Sequence, residues 1–469
     1  TGAAAELERD DRDGAGVRLE EKYDEMTRQP VRRLVMRMAV PTIVAMVTTA
    51  LYNIVDAAYI GRLSTEATAG IGISFAYMTF IQALGFFFGH GSGNYISRAL
   101  GAKDSGGAEV VASVGFYTPL LLGALAAAVW LPQLGALSRL LGAPEEVVPM
   151  ANDYLRWIVA ATPMMMSALT LNNQLRLQGN ARFGMIGIVS GALLNIVLDP
   201  ILIFGLGLGV SGASLATAVS QVCSWGLLLW GTTRPESVPV RVRNFKPGWR
   251  VYYEIVCGGL PSLFRQLFNC AAAVSLNYCA ALYAPAGSEA SAVAAFAVVT
   301  RIMMFAFSVV LGFCQGFQPV CGFNYGARLY DRVHQSWTFA FTVSTAFLVA
   351  ISVVGFIFAE QIVALFRAED AELVAIGAAT LRWQCASFPL VALPTCTNML
   401  FQNIRMTVPA TLLSICRNGL YFLPAVLLLP MALGLEGVQM AQAVADALTF
   451  VTSLPYALWI SRKLKRGMA

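Results

Sequence analysis

"FGMIGIVSGALLNIVLDPILIFG", residues 183–205, is an apolar run with one charged side chain, Asp199. An α-helix rises 1.5 Å per residue, so about 20 apolar residues span the hydrocarbon core of a bilayer. The run therefore predicts a transmembrane helix. A carboxylate at the centre of such a helix costs about 2.5–3.5 kcal/mol on insertion scales, so Asp199 needs a structural or functional reason.

The composition of the whole chain agrees with a membrane protein. The 469 residues are 57% hydrophobic and 13% charged, whereas soluble domains have roughly 25% charged residues. The nine cysteines are scattered singly and form no C-x-x-C motif, which is typical of small packing residues rather than of metal ligands or disulfides. The composition favours a polytopic membrane protein and predicts no cofactor.

Further apolar runs of about 20 residues follow one another along the chain, separated by Gly, Pro or charged breaks. They lie at about 34–60, 68–97, 109–132, 149–172, 183–205, 209–231, 250–284, 289–320, 334–359, 373–399, 408–430 and 437–460. The predicted fold class is an all-α integral membrane protein with twelve transmembrane helices.

The two halves of the chain resemble each other. "LGFFFG" (84–89) matches "LGFCQG" (311–316), and "LRWIVAATP" (155–163) matches "LRWQCASFP" (381–389). A duplicated unit of six helices keeps the same orientation in both copies, so the repeats are related by a pseudo-two-fold axis along the membrane normal. Two six-helix lobes across a central cleft are the arrangement expected of an alternating-access transporter.

The Lys and Arg residues at the helix ends predict the topology. They concentrate on the side of the two termini, whereas Arg62, Arg139 and Arg367 lie on the other side, so both termini are expected in the cytoplasm of a cell with this chain in its inner membrane. We interpret these charges, and the net charge of +5, as solvated and orienting rather than as a nucleic-acid surface. The predicted parts are a polar, disordered cytoplasmic N-terminal tail (1–32), an N-lobe (33–232), a cytoplasmic linker (233–249), a C-lobe (250–460) and a basic cytoplasmic tail (461–469).

Polar residues at membrane depth predict a site in the N-lobe. Asn195 and Asp199 are spaced i, i+4 and share one face of helix 5, and Ala213 and Thr217 repeat this spacing on helix 6, the next helix of the hairpin. An amide, a carboxylate, a hydroxyl and a backbone carbonyl can converge there, and such oxygens bind hard cations, while a buried carboxylate can also carry a proton. The alternative is that Asp199 only ends or kinks helix 5 before Pro200.

Asp56 adds a second carboxylate to the first helix. It lies 15 residues after Pro41, which corresponds to roughly 22 Å along a helix. Pro41 predicts a kink in this helix. Asp56 alone is also compatible with a carboxylate near the outer surface, but together with Asp199 it favours a shared site.

These motifs resemble the multidrug and toxic compound extrusion (MATE) family over about residues 30–460. The resemblance rests on Pro41 with Asp56, on "N-x-x-x-D-P" at 195–200, on "LQGN" (177–180) and on "GFQPVCGFNYGA" (316–327). It implies a coupling-ion site, which would bind Na⁺ in a sodium-coupled transporter, and a helix-1 hinge at Pro41. The residues of that site are Asp56, Asn195, Asp199, Thr217 and the backbone of Ala213.

The second lobe departs from part of the family. Some members carry acidic residues in helices 7 and 10, and the membrane-depth parts of these helices have none here, so the chain is more similar to the DinF/MepA-like branch. The C-lobe instead carries Arg265, Arg301, Arg417 and Asp446. They predict a buried ion-pair network, and the alternative is contact with an anionic substrate or a gate.

The resemblance implies a secondary antiporter that exports amphipathic, cationic drugs or toxic compounds in exchange for Na⁺ or H⁺. The alternative is a flippase or exporter of a lipid-linked saccharide or another anionic substrate in the same superfamily. A membrane enzyme is disfavoured, because H-E-x-x-H and G-x-S-x-G motifs are absent and the chain has two histidines. The expected partners are a small amphipathic molecule and the lipid bilayer, and the expected state is a monomer.

Overall fold

The computed structural model describes residues 16–468, and within this range the chain forms helices and no strands. The first half contains α1 (16–28), α2 (Val31–Ile60), α3 (Thr65–Gly101), α4 (Ser105–Trp130), α5 (Leu134–Leu140), α6 (Val148–Leu177), α7 (Ala181–Pro200) and α8 (Gly209–Thr232). The second half contains α9 (Trp249–Leu282), α10 (Glu289–Gly326), α11 (Tyr330–Ile357), α12 (Ala359–Arg367), α13 (Ala371–Ser387), α14 (Ala392–Asn403), α15 (Thr407–Ile415), α16 (Phe422–Leu433) and α17 (Leu435–Lys465).

The helices form two lobes, as predicted. Among the described residues, nine helical segments are long and apolar enough to cross a membrane. α6 and α9 are long but more polar, and α13 and α14 are shorter helices that follow each other closely, so these segments are consistent with three further spans. Two π-helical segments interrupt this pattern, at Ile201–Gly205 after α7 and at Cys416–Tyr421 between α15 and α16.

The repeat is also visible in the turns that end equivalent helices. After α3, Lys103 has a φ of 59°, and after α10, the matching Arg328 has a φ of 61°. A left-handed residue directly after a helix is a common way to satisfy its last carbonyl groups. Each turn follows a Gly-Ala pair, Gly101-Ala102 in one half and Gly326-Ala327 in the other, so the duplicated sequence forms the same local structure twice.

The two lobes meet at the end of the bundle that carries the chain termini, which we call the termini side. The largest buried cluster joins Met26, Ile96, Phe323 and Leu464 at this end. The backbones of the two lobes approach so closely there that a Cβ added at Gly101 would overlap the Phe323 carbonyl oxygen. The lobes are thus closed against each other on the termini side.

The N-terminal region differs from the disordered tail predicted by the sequence. Residues 16–28 form α1, and Met26 is 1% exposed. Local polarity predicted a solvated segment, but α1 has enough apolar side chains on one face to pack against both lobes. The prediction for residues 1–15 lies outside the described residues.

Candidate functional site: a carboxylate pair in the N-lobe

Asp199 lies where α7 changes into a π-helix. The helix does not end at the Asp199-Pro200 pair, because the π-helical segment Ile201–Gly205 continues it. Single π-helical turns are frequent at functional sites, because they shift the side chains that follow. Asp199 is 0% exposed and Asn195, one turn earlier, is 2% exposed, so both polar groups face the interior of the lobe.

The side chains of α7 and α8 form a connected polar cluster. In the amide orientation that satisfies the network, Asn195 donates to Asp199 Oδ2 over 3.0 Å, and its oxygen lies 3.3 Å from the Thr217 backbone nitrogen. The Thr217 hydroxyl donates to the Ala213 carbonyl oxygen over 3.1 Å. The structure therefore brings these four residues together, as the i, i+4 spacing on both helices predicts.

Asp56 joins this cluster from a third helix, α2. Its carboxyl group lies within hydrogen-bonding reach of the Asp199 carboxyl group. Among the described residues, no N–H or O–H group donates to Asp56 Oδ1 or to Asp199 Oδ1, although both atoms are buried. A buried acceptor without a donor costs about 1–3 kcal/mol, so these oxygens are suited to a proton or a cation.

Tyr52 is a neighbour of the carboxylate pair that the motif comparison did not include. It precedes Asp56 by four residues on α2 and lies close enough to interact electrostatically with Asp56 and Asp199. The i, i+4 spacing from Asp56 is the sequence signal that points to it.

Pro41 lies inside α2 without interrupting the helix. On either side of it, Ala39 and Ile43 pack against Gly316 and Gly312 of α10, in the other lobe. The same helix therefore carries Asp56 of the N-lobe cluster and contacts the C-lobe at Pro41. A change in the shape of α2 would therefore alter both the N-lobe cluster and the contact with the C-lobe.

In the C-lobe, Asp446 forms an ion pair with Arg417 and not with the other arginines. Arg417 Nε lies 2.8 Å from Asp446 Oδ1, and Asp446 is 2% exposed. Ser387 and Gln442 also donate to the Asp446 carboxylate, over 3.2 and 2.9 Å. Arg417 lies in the π-helical segment Cys416–Tyr421, so this lobe has a satisfied ion pair rather than a second pair of carboxyl groups.

Arg265 and Arg301 lie apart from this pair. Arg265 donates to the Asn398 side chain over 3.3 Å and to the Ser262 hydroxyl over 3.2 Å. Arg301 is exposed. The sequence places Arg265, Arg301 and Arg417 at similar depths in the membrane. Only the packing of the helices decides which of them meets Asp446.

Comparisons with known proteins agree with the fold. The MatE family model matches residues 41–201 and 263–427, which is more than half of the chain. The chain belongs to the MATE family. Family membership identifies a multi-pass membrane transporter of the multidrug-efflux type, not an enzyme.

The relatives of this MATE transporter include bacterial multidrug export proteins. MepA of Staphylococcus aureus (strain NCTC 8325 / PS 47) is 27% identical over 432 residues, which are 91% of this chain and 93% of MepA. MepA of Staphylococcus haemolyticus (strain JCSC1435) is 27% identical over 419 residues, which are 88% of this chain and 90% of that protein.

Solved structures are similar over nearly the whole length. A multidrug resistance MATE family transporter of the MOP superfamily in an outward-facing conformation has a TM-score of 0.87 and 28% identity, and covers 94% of this chain and 98% of its own. A MOP superfamily transporter from Pyrococcus furiosus, whose binding pocket is described as having reverse polarity, has a TM-score of 0.86 with the same identity and coverage.

A buried polar network connects the lobes of this MATE transporter. Arg176 of α6 donates to the Gln315 carbonyl oxygen and to Gln318 Oε1 on α10, over 2.7 and 2.8 Å. Arg176 also lies 3.2 Å from His90 Nε2, and His90 Nδ1 lies 2.9 Å from the Ser262 hydroxyl on α9. Because an arginine only donates, His90 Nε2 accepts and its proton is on Nδ1, which donates to Ser262.

One interpretation of the sequence is corrected by this network. Arg176 belongs to the Lys and Arg residues that the sequence predicts to be solvated and orienting, but it is 3% exposed and bridges the lobes. Its partner His90 lies inside α3. Counting charges predicts on which side a loop lies but not whether a given side chain is buried.

The described residues hold no group of three or more His, Cys, Asp or Glu side chains that could bind a metal ion.

Proposed function

We propose that this transporter exports amphipathic, cationic organic compounds in exchange for H⁺ or Na⁺, and that the N-lobe cluster is its coupling-ion site. The observation that supports the proposal is the Asp56–Asp199 carboxyl pair with two buried oxygens that receive no donor. A pair of carboxyl groups in an apolar lobe is costly to keep unless it binds and releases a charge.

The geometry favours H⁺ as the coupling ion. A carboxylate accepts hydrogen bonds and does not donate them, so two carboxyl groups within hydrogen-bonding reach are compatible when they share a proton. Na⁺ is the alternative, because Asp56, Asn195, Asp199 and Thr217 supply the oxygen ligands that a hard cation needs.

Ion binding in the N-lobe would change the interface between the lobes by moving α2. A proton or a cation cancels the repulsion between Asp56 and Asp199 and so changes the preferred position of α2 relative to α7. Proline removes one backbone hydrogen bond from the helix, which makes Pro41 the point where α2 bends most easily. Because α2 contacts α10 at Pro41, bending there changes the contact between the lobes.

The remaining assignments of topology and extent are part of the same proposal. The termini side faces the cytoplasm, as the excess of Lys and Arg predicts, and the transporter acts as a monomer in the cell membrane. The N-lobe spans 33–232 and the C-lobe 250–460, in agreement with α8 ending at Thr232 and α9 beginning at Trp249.

An anionic substrate is the second candidate, and Arg265 favours it. Its hydrogen-bond partners, Asn398 and Ser262, are neutral, so it has positive charge available for an anionic group. Arg417 is less available, because Asp446 already neutralises it.

Transport by the purified protein in proteoliposomes tests these proposals. A proton gradient and a Na⁺ gradient are imposed separately, and uphill transport of cationic, zwitterionic and anionic compounds is measured. We expect a proton gradient to drive export of cations. Transport that responds to neither gradient contradicts the antiporter, and exclusive transport of anions supports the second candidate instead.

A further inference from the structure

The helix α1 lies across the termini side and contacts the N-lobe at one end. The Lys22 amine donates to the Asn180 side-chain oxygen, in the loop before α7, and to the Glu236 carbonyl oxygen over 3.3 Å. The Lys103 amine lies 4.6 Å from the centre of the Tyr23 ring, within the range of a cation–π interaction. This end of α1 is thus held by the turn after α3, by the start of α7 and by the linker after α8.

The other end of α1 contacts the C-lobe. The Met26 carbonyl oxygen accepts from the Asn324 side chain over 3.1 Å, at the end of α10. Arg332 of α11 donates to the Met26 and Gln29 carbonyl oxygens over 3.4 and 2.6 Å. The Met26 side chain is buried in the cluster that contains Phe323 of α10.

An opening on the termini side would separate the two groups of residues that α1 connects. The contacts at Asn180 and Glu236 belong to the N-lobe and its linker, and those at Asn324 and Arg332 belong to the C-lobe. One rigid helix cannot keep both sets of contacts when the lobes move apart. Alternating access, which is part of the function proposed above, therefore requires α1 to leave one lobe.

We propose that α1 is a strap that holds the lobes closed on the termini side, and that Lys22 must leave Asn180 and Glu236 before this side opens. The strap regulates the step in which the transporter opens to the side of its termini. The proposal rests on alternating access but not on the identity of the coupling ion.

The attachment at Asn180 and Glu236 is the one that releases, because it depends on a buried amine, whereas α1 stays joined to α2 through residues 29–30 and the Glu25–Arg37 ion pair. Lys22 is 8% exposed, and among the described residues it forms no ion pair within 4.0 Å. The charged groups that act on Lys22 are Glu236 of the linker and Arg37 of α2, which is paired with Glu25 of α1, and Glu20 and Lys103 line the cavity beside it. At the C-lobe end, neutral backbone carbonyls and the buried Met26 side chain make contacts that a proton does not change.

The charge on Lys22 makes this attachment sensitive to pH. Burial lowers the pKa of Lys22 from 10.5 to about 7, Glu236 raises this pKa and Arg37 lowers it. The docked strap favours the neutral Lys22 amine. Docking is therefore strongest above pH 10.5, the pKa of a solvated lysine, and weakens as the pH falls towards about 7, the pKa of Lys22 in the docked strap. With these two pKa values, docking weakens about fivefold between pH 8 and pH 7 and levels off below pH 7.

Space for hydration lies beside Lys22. A cavity of about 270 Å³ is lined by Lys22, Tyr23, Lys103 and Ser105. A charged amine that leaves Asn180 can therefore meet water before α1 moves as a whole, and this provides a first step for release.

Hydrogen exchange of the full-length protein in nanodiscs tests the strap. Backbone protection of residues 16–28 is compared at pH 8 and pH 7, after correction for the intrinsic dependence of exchange on pH, because protection reports the local opening equilibrium. We expect protection to fall about fivefold in the unmodified protein. Absence of protection at pH 8, or equal protection at both pH values, overturns the proposal.

Variants separate the role of Lys22 from general stability. Lys22→Met keeps a long apolar side chain without a titrating group, so its protection should not change between pH 8 and pH 7 and its export rate should fall. Lys246→Met, which changes an exposed lysine of the linker, is the matched control and should behave like the unmodified protein. If Lys22→Met does not fold, Asn180→Ala removes the side-chain acceptor and should reduce protection at pH 8.

The outcomes distinguish the strap from the coupling site. Asp199→Asn should abolish gradient-driven export and leave the pH response of residues 16–28 unchanged. A pH response that persists in Lys22→Met contradicts the strap even where the antiporter proposal holds.

Discussion

Asp199→Asn should uncouple transport from the ion gradient and leave the fold intact. The substitution keeps the size of the side chain and removes its charge. The hydrogen bond that Asn195 donates to Asp199 over 3.0 Å loses its charged acceptor. Hydrogen bonds to charged groups contribute about 1.5–3 kcal/mol to stability. Removal of a carboxylate from membrane depth stabilises the folded protein by about 2.5–3.5 kcal/mol. These two contributions nearly cancel, so we expect a change in unfolding free energy of about 1 kcal/mol.

The effect on transport should be much larger than the effect on stability. A proton gradient of two pH units stores about 2.7 kcal/mol per proton, because each unit corresponds to about 1.36 kcal/mol. An electroneutral antiporter that exchanges one proton for one monovalent cation can therefore build a substrate gradient of about 100-fold. Without a group that alternates between two charge states, Asp199→Asn should build no gradient.

The substrate gradient is measured in proteoliposomes as the ratio of internal to external substrate. The substrate is a dye whose fluorescence reports its internal concentration. Asp153→Asn is the matched control, since Asp153 is a partly exposed carboxylate 3.8 Å from Arg156, and it should keep the full gradient. If Asp199→Asn still accumulates substrate about tenfold or more, Asp199 does not carry the coupling ion. If it fails to fold, the near cancellation calculated above is wrong.

Three other substitutions follow from the structure. Asp446→Asn leaves Arg417 without its partner and should lower stability by about 3 kcal/mol, seen as an earlier melting transition in detergent; Arg417→Gln in the same chain should restore part of it, and unchanged melting would contradict a structural ion pair. Gly91→Ala should weaken closure on the termini side, because the added Cβ overlaps a carbonyl oxygen of α9, whereas Gly72→Ala on the same helix has free space. Labelling of a cysteine placed at the interface between the lobes reports the opening, and equal labelling in both variants would contradict this prediction. Pro41→Ala restores a helical hydrogen bond in α2 and should slow export without loss of stability, and an unchanged export rate would exclude a hinge at Pro41.

Much of the fold could be predicted because its signals are local. Hydropathy over about 20 residues identifies the membrane helices, and the matching segments of the two halves reveal the lobes. The i, i+4 spacing of Asn195 and Asp199 predicts a shared face, and the structure places them on one. The resemblance to MATE proteins rests on such short motifs, so it was available before the structure, and the family comparison agrees with it.

The contacts between helices could not be predicted in the same way. The C-lobe arginines have similar sequence surroundings, yet only Arg417 reaches Asp446, because the rotation and register of neighbouring helices decide which side chains meet. Arg176 counts as an orienting charge in the sequence but lies buried between the lobes.

The sequence by itself determined that this chain is a two-lobed helical membrane protein with a polar face on helix 5, since length, hydropathy and short spacings are properties of neighbouring residues. Only the tertiary structure decided that Arg417 pairs with Asp446, that Arg176 joins the lobes and that α1 packs across the termini side. These contacts join residues that are far apart in the chain, such as Lys22 and Asn180, and they depend on how much apolar surface each helix buries against its neighbours.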